Sequence, residues 1–353
     1  MSAARNTKRI NLALQGGGAH GAFTWGALRR ILQEEDVEIA AISGTSAGAL
    51  NGAAVKAGLA SAEGEAGRQA AIDHLDWLWR QIGAVNDMRL TAWMNAIFPH
   101  PSVVSRSIEY SLPFAIADAA SRVISPYAYG PFWENPLRRI VDRFDFGNVC
   151  SDAGCSFFVN TTRVRNGKIR VFREHEISTD VILASACLPT IFQAVEIHDT
   201  QTGRVEEFWD GGYTGNPALF PFFDARFPDD IVVININPLE REASPRTATE
   251  IQNRINEISF NSSLFRELRA INFVKRLIAE GRIERGQMRD LNIHMIADDE
   301  LMNDLSVATK IVPAPYIIGR LCTAGEAAAE AFLAAHKSDL NTRSTVDLEE
   351  MFG

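Results

Sequence analysis

Short apolar runs that stop abruptly at glycine set the rhythm of the first sixty residues. Ile10 to Leu14 is ended by Gly16-Gly17-Gly18, after which Ala27, Leu28, Ile31 and Leu32 recur at helical spacing. Ile39 to Ile42 is a second run, broken by glycines either side of a serine and followed by a helix pattern from Ala47 to Val55. Residues 8 to 60 thus read as strand, glycine turn, helix, strand, turn, helix, the signature of a parallel sheet covered by helices. Ile72, Leu75, Trp79 and Ile82 predict a further helix over 62–82.

Regular patterning returns after residue 150. Residues 155–164 and 168–173 read as strands joined at Arg165-Asn166-Gly167, a hairpin signal. Ser178 or Thr179 caps a helix expected to run to Leu188, where Pro189 stops it. Val205 to Trp209 predicts a strand entering Asp210-Gly211-Gly212, and the β-branched run Ile231 to Ile236 predicts one buried on both faces. Residues 248–281 predict a long amphipathic helix or helix pair, and 324–336 an alanine-rich helix. Between about Asp87 and Pro136 the chain carries Trp93, Ile97, Phe98, Tyr110, Phe114, Tyr127, Tyr129, Phe132 and Trp133, punctuated by prolines. Such a stretch is too long and apolar for a plain loop. It reads as a helical subdomain, compatible with a cap that receives acyl chains or touches lipid. The expectation is one domain over 1–353, with an insertion at about 87–136 and a C-terminal helical region at about 245–353.

Composition narrows the field. At 46% hydrophobic and 22% charged residues the chain is ordinary for a globular protein. Its net charge of −9 argues against nucleic-acid binding. Cys150, Cys155, Cys187 and Cys322 show no disulfide-framework density and no C-x-x-C spacing, which fits free thiols in a reducing compartment. Arg5, Lys8 and Arg9 precede an apolar run too short for a signal core, and no window approaches a membrane span. A cytoplasmic protein is expected, with peripheral contact at a membrane surface left open.

Chemistry enters at Gly44-Thr45-Ser46-Ala47-Gly48, which fits the G-x-S-x-G nucleophile elbow. A sharp strand-to-helix turn strains the serine backbone, so neighbours two residues away must lack side chains. The bland alternative is a glycine-bounded turn with an ordinary N-cap serine. Gly16, Gly18 and Gly21 also satisfy G-x-G-x-x-G, the dinucleotide fingerprint. That reading needs an acidic residue at the end of the second strand. Glu38 instead precedes the strand's apolar part, and the strand ends in the serine turn. For a hydrolase, the bare amides of Gly17 and Gly18 would approach an oxyanion closely.

A serine needs a base. The histidines at 20, 74, 100, 198 and 294 have no convincing catalytic context. Asp210 stands at a strand end before two glycines, between Trp209 and Tyr213, where a partly desolvated carboxylate can act as base directly. Alone, it would read as an aspartate capping a turn.

Three motifs therefore stand in order: Gly16-Gly17-Gly18-Ala19-His20-Gly21, Gly44-Thr45-Ser46-Ala47-Gly48 and Asp210-Gly211-Gly212. This set resembles the patatin-like phospholipases, lipid acyl hydrolases that use a Ser–Asp dyad. Ala184-Ser185-Ala186-Cys187-Leu188-Pro189, with Phe192, looks like that family's helix–proline segment before the aspartate strand. The likeness implies an α/β fold, a three-layer α/β/α sandwich with a largely parallel central sheet. It also implies Ser46 as nucleophile, Asp210 as base and Gly16, Gly17 and Gly18 as the oxyanion loop, supported by Gly21, Gly44, Gly48, Gly211 and Gly212. A lipid or acyl-ester substrate is implied, and no cofactor or metal. Many members carry Arg or Lys where His20 stands, so a fixed positive charge there is not expected. The malonyl transferases share the serine elbow but pair it with histidine. A non-catalytic lipid-binding module is the competing class, and a dinucleotide-binding protein a more distant one.

Overall fold

A computed structural model describes residues 7–83, 100–112, 116, 124–130, 134–241 and 244–352. Eight strands form its centre: β1 (Lys8–Leu14), β2 (Val37–Gly44), β3 (Ser156–Arg163), β4 (Ile169–Arg173), β5 (Val195–Asp199), β6 (Arg204–Asp210), β7 (Asp230–Ile234) and β8 (Asn292–Ile296). They lie in the order β5-β6-β3-β2-β1-β7-β8, with β4 beside β3. From β3 to β8 all neighbours are parallel; β4, β6 and β5 join antiparallel.

Side chains alternate across a strand, so each run feeds two faces. Leu12, Leu14, Ile42, Val232 and Ile234 meet one layer of helices, α1 (Gly21–Leu32), α2 (Ala47–Ser61), α3 (Gly64–Gly83), α5 (Thr179–Ser185) and α8 (Pro315–His336), whereas α4 (Pro101–Glu109) lies nearer the C-terminal segments. Ala13, Ala41, Phe158, Ile231, Val233 and Ile293 meet Leu264, Leu268 and Ile271 of α6 (Ala248–Ala279) on the other face. The result is the three-layer α/β/α arrangement, with a mixed but mostly parallel sheet.

Several elements differ from expectation in their bounds. The helix after Ser178 stops at Ser185 rather than Leu188, because the Cys187 carbonyl accepts from the Asp210 amide at 2.8 Å. Residues 248–279 form one helix, started by Thr247 and Glu250 in a capping box. The alanine-rich helix begins at Pro315, well before residue 324. The region 245–353, read as helical, also supplies β8, whose five residues are short enough to escape a periodicity argument. Of the insertion, α4 and the turn Pro126–Tyr129 are described, and Tyr110 and Tyr127 are exposed. Trp93, Ile97, Phe98, Phe114, Phe132 and Trp133 lie outside the described residues.

Residues 158–162 of β3 pair with β4 along one edge, which leaves the opposite edge for both β2 and β6. β2 runs up that edge and stops with Gly44 opposite Val159. β6 runs down it and stops with Asp210 opposite Thr161. Two strand ends meet head to head.

Candidate active site

At the end of β2 the chain turns through Ser46, whose φ of 55° and ψ of −120° lie where an L-residue with a side chain is strained. The turn is over-determined. The Gly48 amide donates to Thr45 O at 2.7 Å, the Thr45 amide to Leu14 O at 3.2 Å, and the Ser46 amide to Ser185 Oγ at 2.9 Å. A side chain at Gly48 would strike the Leu14 carbonyl, and one at Gly44 the backbone of Gly48. Ser46 then heads α2, whose N-terminal dipole favours negative charge on its oxygen. Asn160 fastens the turn from β3, its Nδ2 donating to Ser43 Oγ at 3.0 Å, Gly44 O at 3.2 Å and Thr45 Oγ1 at 3.0 Å.

The shared edge of β3 brings Asp210 to this serine. Its backbone is fixed on both sides, by the Cys187 carbonyl and by Thr162 Oγ1, which donates to Asp210 O at 2.8 Å. Asp210 is 2% exposed and Ser46 9%. Burial pushes the Asp210 carboxyl up to about 7, against the opposing effects of the Gly212 amide, 2.7 Å from Oδ1, and of the nearby Ser46 hydroxyl. The same carboxylate and burial push neighbouring Tyr213 and Cys187 to about 12, burial being the larger cause in each. Gly211 and Gly212 leave room for this packing, since a Cβ on Gly211 would strike the Asn160 carbonyl.

The glycine turn lies on the other side of Ser46. A Cβ on Gly16 would stand 2.7 Å from Ser46 Cβ and 2.8 Å from Thr45 O. Gly18 has φ of 58°, which glycine adopts without strain, and a side chain there would strike the Lys310 carbonyl. Gly21 packs against Ala47. The three amides differ in use. That of Gly16 donates to Asn216 Oδ1 at 2.6 Å, so Gly16 shapes the turn and is not free to bind an oxyanion. Those of Gly17 and Gly18 have no acceptor among the described residues.

Behind the turn runs a buried amide network that the sequence did not announce. Asn237 Nδ2 donates to Gly16 O at 2.9 Å and to Gln15 Oε1 at 3.0 Å, and Asn216 Nδ2 donates to Gly16 O at 3.3 Å. Gln15 Oε1 also accepts from the Ile236 and Asn237 amides. The available signal was Asn235-Ile236-Asn237, polar residues placed directly after an apolar strand. Ser185 was visible only as part of a motif; its hydroxyl joins Ser46 to Asn160.

His20 is buried with Nε2 2.8 Å from Thr309 Oγ1, and burial, then Lys310 and Arg241, holds its pKa well below the ordinary value. That shift favours the uncharged ring. Glu38, the acid nearest to a ribose-binding role, is the second residue of β2 and pairs with exposed Arg9 at 2.9 Å. Among the described residues no group of three or more His, Cys, Asp or Glu is placed to hold a metal ion.

Fold and site together define an α/β protein built around a strained strand–serine–helix turn faced by a buried carboxylate. A family model described as patatin-like phospholipase matches residues 12–225, more than half the chain, and the protein belongs to that family, whose members are lipid hydrolases. Among solved structures, the chain is similar to VipD from Legionella pneumophila at 15% identity and TM-score 0.41, over 94% of this chain and 67% of that one. It is also similar to the type III effector protein ExoU at 15% identity and TM-score 0.34, over 96% of this chain and 54% of that one. No curated protein matches significantly.

Proposed function

We propose that this chain is a serine lipid acyl hydrolase, an esterase of phospholipase A or lysophospholipase type, working through a Ser46–Asp210 dyad and the amides of Gly17 and Gly18. The observation that carries this reading is that β2 and β6 end head to head on one edge of β3, which brings the Ser46 turn to a buried Asp210 carboxyl whose pKa the Ser46 hydroxyl lowers, beside two glycine amides with no acceptor among the described residues. Ionised Asp210 takes the Ser46 proton as Oγ bonds to the ester carbonyl carbon. The oxyanion is held by the glycine amides and the α2 dipole. The carbonyl re-forms, the ester C–O bond breaks, and the Asp210 proton passes to the departing alcohol. Water, deprotonated by Asp210, then attacks the acyl carbon, the bond to Ser46 Oγ breaks, the Asp210 proton returns to that oxygen and the acyl group leaves as a carboxylic acid.

A burial-raised carboxyl near 7 suits this work, since base strength and the ionised fraction are both useful close to neutral pH. The substrate class is a lipid or other acyl ester, met at a membrane surface by peripheral contact. Among the described residues no helix is long and apolar enough to cross a membrane.

The test is labelling by a fluorophosphonate probe with hydrolysis of a lysophospholipid. Wild type is expected to label at Ser46 and turn over, and Ser46→Ala and Asp210→Asn to do neither while remaining folded. Absence of labelling in the wild type would favour a lipid-binding module; undiminished turnover in Ser46→Ala would reject the nucleophile.

A further inference from the structure

The glycine turn needs positive field and fixed amides to receive an oxyanion, and its one titratable side chain, His20, is buried and pushed toward the uncharged form. A cation reaches its surroundings from far along the chain. Lys310 lies on α7 (Val307–Ile311), its carbonyl against Gly18 and its Nζ donating to Asn237 Oδ1 at 2.8 Å.

An ammonium can only donate, so it dictates which end of the Asn237 amide faces it. With Oδ1 claimed by Lys310, Nδ2 must face the Gly16 carbonyl and Gln15 Oε1, and it donates to both. A flipped amide would set oxygen against two oxygens. The Gly16 carbonyl and the Gly17 N–H share one planar trans peptide and point opposite ways. Pinning the first therefore aims the second away from the network, on a residue pair whose first member packs against Ser46 Cβ.

We propose that Lys310 is the positioning residue of the oxyanion turn, fixing the Gly17 amide through Asn237 and supplying the turn's positive charge. The inference rests on the hydrolase reading above. The groups facing Lys310 are Asn237 after β7, His20 of the glycine turn, Arg241, and Glu257 of α6. Glu257 is already held by Arg241 at 2.7 Å and Arg254 at 3.3 Å, so the cluster keeps a net positive charge. Burial, partly opposed by Glu257, lowers the Lys310 pKa to about 8, which puts loss of its charge within an accessible pH range.

The test compares wild type, Lys310→Met and Lys310→Arg in steady-state hydrolysis of p-nitrophenyl butyrate from pH 6 to 10, with fluorophosphonate labelling rates at pH 7.5. Lys310→Met is expected to lower kcat by roughly tenfold to a hundredfold with KM nearly unchanged, less than or equal to deletion of a direct oxyanion donor. Wild-type kcat is expected to decline above about pH 8, and Lys310→Arg to keep most activity without that decline, because arginine stays protonated. Should Lys310→Met fail to fold, Asn237→Asp keeps an acceptor for Lys310, removes the donor to Gly16, and is expected to show the same loss of kcat. Wild-type kcat and pH profile in Lys310→Met, or equal loss in the Met and Arg variants with the high-pH decline still present, would overturn the proposal. An unlabelled wild type would overturn the hydrolase reading itself, whereas a labelled wild type matched by Lys310→Met would remove Lys310 alone.

Discussion

Ser185 holds Ser46 in place with a single hydroxyl: Oγ accepts from the Ser46 amide at 2.9 Å and donates to the Asn160 carbonyl at 2.7 Å. Both groups are buried, and the helix that follows Ser46 offers that amide no carbonyl. Ser185→Ala leaves a buried N–H and a buried C=O unpartnered. We expect a loss of about 1–3 kcal/mol in urea unfolding, and a labelling rate at Ser46 reduced more than the stability change alone would cause. An equally stable variant with unchanged labelling would show that the strained turn needs no such support.

The Asp210 carboxyl gives a prediction with opposite signs for activity and stability. Below about pH 7 it holds a proton and cannot take one from Ser46, so kcat/KM should rise through that pH. Stability runs the other way. The folded-state pKa of about 7 lies above the ordinary 3.8, so between those values the native state binds a proton that the unfolded chain releases. Stability then falls as pH rises through this window and stays lower above it. Asp210→Asn removes the buried charge and keeps an oxygen for the Gly212 amide. It should abolish turnover yet raise Tm above wild type at pH 8, the difference shrinking toward pH 5. A variant less stable than wild type at pH 8 would show that the carboxylate is well compensated in the folded state.

Gly16 tests how tightly the turn is fitted to the serine. An added methyl group would stand 2.7 Å from Ser46 Cβ, 2.8 Å from Thr45 O and 3.2 Å from Asn216 Oδ1. None of these is the free end of a flexible chain, so backbone must move. Gly16→Ala is expected to cost about 1–3 kcal/mol, in the range of overpacked cores. Because the displaced atoms belong to the elbow, the labelling rate should fall by roughly a hundredfold or more, by analogy with small misplacements of reacting groups. Wild-type labelling would mean that the turn yields elsewhere.

What could be read from the chain alone follows from the range of the forces involved. The elbow was legible because Gly44, Ser46 and Gly48 obey a local steric rule, and the strands because Ile10–Leu14 and Ile231–Ile234 are apolar on both faces. The pairing of Ser46 with Asp210 was read from the carboxylate's strand-end context and from the family likeness, not from a local steric rule. It depends on β2 and β6 sharing one edge of β3, a pairing between segments with no pattern in common. Gln15, Asn160, Asn216 and Asn237 were missed because a lone amide in the sequence looks the same whether it faces solvent or a buried carbonyl. Lys310 sits on a five-residue helix with no periodicity to mark it.

The backbone of Ser46 allows strain and chemistry to be separated. With φ of 55° and ψ of −120°, any residue bearing a Cβ is held there at a cost of about 1–3 kcal/mol. Ser46→Ala removes the hydroxyl and leaves the strain. Ser46→Gly removes both, and glycine adopts this conformation freely, although its looser unfolded chain offsets the gain by about 0.4–1 kcal/mol. Neither variant should label, but Ser46→Gly should be the more stable of the two by about 1 kcal/mol in urea unfolding, in the same sense as the preference for glycine over alanine at a helix N-cap. A glycine variant less stable than the alanine one would show that the turn around Ser46 relaxes once the hydroxyl is gone, and that its strain belongs to the serine's contacts rather than to the strand–helix junction.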